Sequence, residues 1–223
     1  MTRRTLAALG FAFVLTAQAP PPLPMPTTTA APACMPQTAP LGPMGRAAVI
    51  AFTGQMFGNR ICALVVNLAV DGYRAALAEG AGDAPIAAAV TTGSGAALTL
   101  APDGSLRVVP GAPAAGDAAL AVGPFVVAPG GQFTATPGAL DEAPRVVLAY
   151  AGQRVVLLAT SPATLIDLTR VLREQPDLFG IDAPERAVVL ASGATATLVV
   201  HTPDATLGTP PTSAQVLRIA PRP

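Results

Sequence analysis

The chain of 223 residues has no tryptophan and no lysine, a single histidine and two cysteines, and only 4% of its residues are aromatic. Each shortage removes a class of chemistry. One histidine, His201, and two cysteines far apart, Cys34 and Cys62, supply no zinc set. The absence of tryptophan leaves little from which to build a sugar-stacking platform. With 12% charged residues, a net charge of zero and neither sign gathered into runs, the chain lacks the basic footprint of a nucleic-acid partner. Outside the N-terminal leader no apolar run approaches the eighteen or so residues a membrane span needs, so no span is expected in the mature protein.

Histidine chemistry is equally restricted. A hydrolytic triad would need His201 to meet Ser192 and a carboxylate such as Asp182 or Asp204. Residue 190 is leucine and 194 alanine, so Ser192-Gly193 has no nucleophile-elbow context, and His201 reads as an exposed strand-end residue. The glycine-rich TTGSGAA at 91–97 neither opens a helix nor carries a lysine, which makes it a loop between strands. No cofactor or metal is implied.

What the chain does have is alanine, valine, glycine and proline, with 51% apolar residues, enough for one good core. Arg3 and Arg4 precede an uncharged run from Leu6 to Leu15 and then Ala17-Gln18-Ala19, the pattern of a secretory signal peptide over residues 1–19. Residues 20–45 hold nine prolines and no charge and read as an extended linker. Export to a periplasmic or extracellular space follows. In that oxidising setting Cys34 and Cys62 can pair or stay as thiols, since two cysteines specify no framework. A domain over 46–203 and a tail over 204–223, with a possible edge strand at 214–220, complete the organisation.

Within the domain, Asp71-Gly72 between apolar runs at 61–70 and 73–79 is a two-residue hairpin signal. Runs at 86–90, 96–100, 105–109, 120–127, 145–150, 154–159, 186–191 and 195–200, broken by Gly and Pro, read as further short strands. Ser161-Pro162 suggests the start of a helix over 162–174, with Leu165, Leu168 and Leu172 as its apolar stripe and Pro176 as its stop. Many strands and one main helix predict an α+β domain with a mixed, largely antiparallel sheet and the helix packed on it.

The order Gly123-Pro124 plus apolar strand, Arg145 opening a hairpin, a helix, and a last element Leu190-Ala191-Ser192-Gly193 resembles the phosphodiester glycosidase family over roughly residues 61–201. That family typically ends its last strand in Leu-Asp-Gly and carries an Asn-x-Gly turn earlier in the chain. Here Ala191 stands at the aspartate position, and the segment 82–90 has no asparagine. Glycoside chemistry needs a carboxylate to protonate the leaving oxygen and usually a second beside the anomeric carbon. The resemblance therefore implies a glycan or sugar-phosphodiester site made of Arg145, Ser192, Gly193, Thr195 and Gly123, without a catalytic residue. Arg145 would hold phosphate bidentately, or else serve as an ordinary ion-paired residue at a strand start. Three functions stay open: an envelope binding protein with a degenerate site, an active hydrolase of sugar-1-phosphodiesters, and an unrelated secreted β-rich domain.

Overall fold

The computed structural model describes residues 37–53, 60–113, 119–132, 138–213 and 215–223. The expected leader, most of the proline-rich stretch and Cys34 lie outside them. The end of that stretch is built into the fold, as β1 (Gln37–Pro40), a short 3-10 helix (Gly42–Met44) and the start of β2 (Gly45–Thr53).

The described chain is mainly β, with three antiparallel sheets and one helix, which corrects the α+β expectation. The first sheet has seven strands in the order β1-β2-β3-β11-β10-β12-β9. These are β1, β2, β3 (Arg60–Ala69), β9 (Phe125–Val127), β10 (Ala143–Ala151), β11 (Arg154–Ala163) and β12 (Arg186–Ser192). The second sheet runs β14-β13-β5-β15-β4, from β4 (Tyr73–Ala78), β5 (Ile86–Val90), β13 (Leu198–His201), β14 (Thr206–Gly208) and β15 (Gln215–Pro221). A third, of β6 (Ala96–Leu100), β7 (Leu106–Pro110) and β8 (Ala119–Val122), runs β7-β6-β8. The helix, α1 (Leu165–Glu174), is too short to form a layer of its own; it covers one face of the first sheet.

Local chemistry explains why that helix starts later than Ser161-Pro162 suggests. Ser161 and Pro162 still belong to β11, and the Ser161 hydroxyl accepts a hydrogen bond from Cys62 N–H across the sheet at 3.0 Å. Thr164 is the cap instead: its hydroxyl accepts from Asp167 N–H at 3.0 Å and donates to the Asp167 carboxylate at 2.8 Å, satisfying one orphan amide of the first turn. Leu165, Leu168, Val171 and Leu172 then bury against Val65, Val147, Val156 and Val189. The expected strand 195–200 is shortened in the same way, because residues 193–195 form a 3-10 turn and β13 begins at Leu198.

The central strands of the first sheet are buried on both faces. Val146, Leu148, Val155, Leu157, Val188 and Leu190 point to the side of the other sheets, alternating with residues that meet α1. This two-sided burial produces the near-continuous apolar runs of the sequence. β15 is central rather than an edge strand, paired with β4 on one side and β5 on the other, because Val216, Leu217 and Ile219 supply apolar side chains to both of its faces.

Both tyrosines lie in the core cluster between the sheets. Burial pushes the Tyr73 phenol up to about 12, with a backbone hydrogen bond to Leu106 opposing it, and burial raises that of Tyr150 further. A phenol held neutral by the fold above its ordinary value of 10.0 adds stability that is complete below pH 10 and is lost as pH rises through about 12. Tyrosinate absorbance at 295 nm and far-UV circular dichroism should therefore change together, above pH 10. Tyrosinate appearing near pH 10 with the fold intact would contradict this burial.

Candidate functional site

The positions singled out in the sequence gather at one end of the seven-stranded sheet, where β10 begins and β12 ends. Arg145 is cross-strand partner of Ser192, and Val146 of Ala191. Thr91 N–H donates to Leu190 O at 2.8 Å, and Gly123 N–H donates to Val189 O at 3.0 Å. The 91–95 loop and Gly123-Pro124 thus flank the same strand. Beyond Ser192, the 3-10 turn Gly193–Thr195 is closed by Thr195 Oγ1 donating to Ser192 O at 3.2 Å.

Glycine makes this crowding feasible. Gly123 has φ +125°, and a Cβ there would collide with the Ser94 carbonyl oxygen, while one on Gly93 would meet Gly123 O at 2.8 Å. The two loops touch backbone to backbone, which only residues without side chains allow.

Arg145 is 4% exposed. Its backbone N–H donates to Thr160 Oγ1 at 3.3 Å, and its Nη2 donates to Asp141 O at 2.7 Å. Nη1 is buried and has no partner. Burial pulls the guanidinium below its ordinary pKa, and the Asp141 carboxylate opposes that shift. A buried guanidinium N–H without an acceptor costs free energy that an arriving anion would recover.

The site is divided by the sheet. Along β10, Val147 and Ala149 meet the helix-side cluster while Val146 and Leu148 meet the cluster between the sheets. The alternation puts Arg145 on the helix side, and Ser192, its direct cross-strand partner, shares that face. Ala191 does not. It is 1% exposed within the cluster between the sheets. A register shift between Val146 and Val147 leaves Leu190 as the extra residue of β12, so Leu190 and Ala191 both turn to that side. The position where the resemblance sets an aspartate is thus separated from the arginine by the thickness of the sheet.

Other carboxylates are distributed as follows. Glu185 N–H bonds Tyr150 O at 2.8 Å, before β12 starts, so Glu185 and Asp182 lie at the opposite end of a seven-residue strand, roughly 20 Å from Ser192 at about 3.3 Å per residue. Asp141 and Glu142, both exposed, precede β10 at the arginine end. Asp141 is not among the site residues read from the sequence; its place four residues before Arg145 is the one signal there of the hold its carbonyl has on the guanidinium. His201 stands on β13 with Nδ1 3.0 Å from Thr206 Oγ1, exposed and engaged with β14 rather than with Ser192. Among the described residues no group of His, Cys, Asp and Glu could hold a metal ion, and no helix is long and apolar enough to cross a membrane. Cys62 is disulfide-bonded.

No known protein family matches the sequence by its profile, and no curated protein matches it. Similarity appears in the fold. The chain resembles the catalytic domain of zebrafish N-acetylglucosamine-1-phosphodiester alpha-N-acetylglucosaminidase, solved in a form auto-inhibited by its pro-peptide. The TM-score is 0.55 at 11% identity, over 87% of this chain and 85% of that one. It also resembles a hypothetical protein from Synechocystis, with a TM-score of 0.53 at 8% identity over 79% of this chain and 62% of that one. The chain thus spans less than two thirds of the Synechocystis structure. Identities this low establish a shared architecture and leave the chemistry to the residues themselves.

Proposed function

We propose that the protein is exported and binds a sugar phosphodiester at the Arg145 end of its large sheet, without hydrolysing it. The observation that carries this reading is the unpartnered, buried Nη1 of Arg145, beside the exposed Ser192 hydroxyl, in a fold similar to that of an enzyme acting on such diesters. A phosphodiester is a singly charged acceptor of the right geometry for a guanidinium N–H. Absence of hydrolysis is inferred from Ala191, which replaces the carboxylate of the resemblance and faces away from Arg145. Export is supported by the leader-like N-terminus and by the disulfide-bonded state of Cys62.

Calorimetric titration of the full mature chain with the methyl diester of N-acetylglucosamine-1-phosphate tests this. Binding should weaken about 10- to 100-fold in Arg145→Ala, since a hydrogen bond to a charged group contributes about 1.5–3 kcal/mol. Release of sugar should stay at the rate in buffer. Turnover by the wild-type protein that disappears in Arg145→Ala would establish the hydrolase instead, with Asp141 as the first carboxylate to replace.

A further inference from the structure

Two surface grooves are lined by residues outside this site, one along α1 at Ile166, Arg170 and Arg173, the other over Arg74, Asp83 and Arg218. One arginine of each already bonds to the protein: Arg170 to Glu174, and Arg218 to the carbonyls of Glu79 and Gly80. The turn 138–141 offers more. Among the described residues only two large apolar side chains are exposed, and Leu140, at 71%, is by far the more open.

Leu140 is held where it is. Ala139 O accepts the N–H of Leu165 at 3.0 Å and Ala139 packs against the helix-side cluster, so one flank of the turn is tied to α1. Asp141 O accepts from Arg145 Nη2 at 2.7 Å and Asp141 N–H closes the turn onto Gly138 O at 3.0 Å, so the other flank is tied to the arginine. An anchored turn thus displays a fully apolar side chain one residue away from the carbonyl bound to the guanidinium whose second nitrogen is free. With 2.7 Å from Nη2 to the Asp141 carbonyl and about 3.8 Å between successive Cα atoms, covalent geometry keeps the leucine side chain within roughly 14 Å of that nitrogen.

We infer that Leu140 selects the non-sugar half of the ligand, and that this half is an apolar chain. The inference rests on the anion-binding reading of Arg145. With phosphate on Nη1, an ester chain of more than about six carbons would span the distance and cover Leu140, removing apolar surface from water on both sides.

The experiment compares three probes on the full mature chain by calorimetry: the methyl and octyl diesters of N-acetylglucosamine-1-phosphate, and octyl glucoside, which has the chain without the phosphate. The octyl diester should bind about tenfold more tightly than the methyl diester, and Leu140→Ser should abolish that difference. Equal affinities of the two diesters for the wild-type protein would overturn the inference and leave the anion site standing. So would an octyl advantage that survives Leu140→Ser, or octyl glucoside binding as tightly as the octyl diester. Failure of both diesters to bind would instead remove the anion site, and the role of Leu140 with it.

Discussion

Replacing Ala191 by aspartate should destabilise the protein strongly at neutral pH and confer no hydrolysis. The methyl of Ala191 is 1% exposed and belongs, with Leu148 and Leu190, to the apolar cluster between the sheets. Placing a carboxylate in such surroundings raises its pKa by about 3–5 units, because burial penalises the charged form. The linked stability follows from the sign of that shift. In the unfolded chain the group titrates near about 3.9 and in the folded chain several units higher, so the fold binds a proton the unfolded state has released. The variant is therefore least destabilised below about pH 4, and it loses about 1.4 kcal/mol for each further pH unit up to the folded pKa. Between pH 4 and pH 7 this amounts to about 4 kcal/mol, a large share of the 5–15 kcal/mol typical of a domain. Urea unfolding of Ala191→Asp and wild type at the two pH values measures it. A loss of equal size at both, together with a gain of diester hydrolysis, would mean that residue 191 opens onto the arginine and not into the core.

A second large effect is expected from Gly123→Ala. The added Cβ would overlap the Ser94 carbonyl oxygen, and backbone cannot move aside as a flexible side chain can. The 91–95 and 123–124 loops would have to separate, which endangers Gly93 N–H to Ala121 O and Gly123 N–H to Val189 O, both 3.0 Å. Gly130→Ala is the control, since Gly130 also has a positive φ, +86°, but its Cβ would meet nothing within 4 Å. Positive φ alone should cost Gly130→Ala about 1–2 kcal/mol. Gly123→Ala should lose at least about 3 kcal/mol, with the diester affinity falling as the strand end loosens. Thermal unfolding of the pair separates the terms, and equal losses would show that the close approach of the two loops contributes nothing.

Much of this architecture is written in local pattern. Strand β5 matches its apolar run over 86–90 and β6 its run over 96–100, because alternation, β-branching and Gly or Pro punctuation act within a few residues. The chain also turns at Asp71-Gly72, where Gly72 N–H donates to Ala69 O at 3.0 Å, but the expected hairpin does not form: β3 pairs within the first sheet and β4 within the second, a choice of partners that is not local. The helix was legible through its leucine stripe. Its first residue was not, since both Ser161 and Thr164 can cap; which one does depends on whether the Ser161 hydroxyl is already engaged by Cys62 N–H on a neighbouring strand.

The sequence by itself determined that the chain is strand-rich with one amphipathic helix, and the family resemblance pointed to Gly123, Arg145 and the 190–195 segment, with alanine at 191. The tertiary structure alone decided where those side chains point. Side-chain direction in a strand has a period of two, so the single extra residue at Leu190 shifts the facing of everything after it relative to β10, and a bulge of that kind has no signature in an apolar run. The central place of β15 was settled in the same non-local way, by pairing with strands more than a hundred residues earlier in the chain. The tertiary structure also buried Arg145 and set the Asp141 carbonyl on one guanidinium nitrogen, leaving the other buried without a partner.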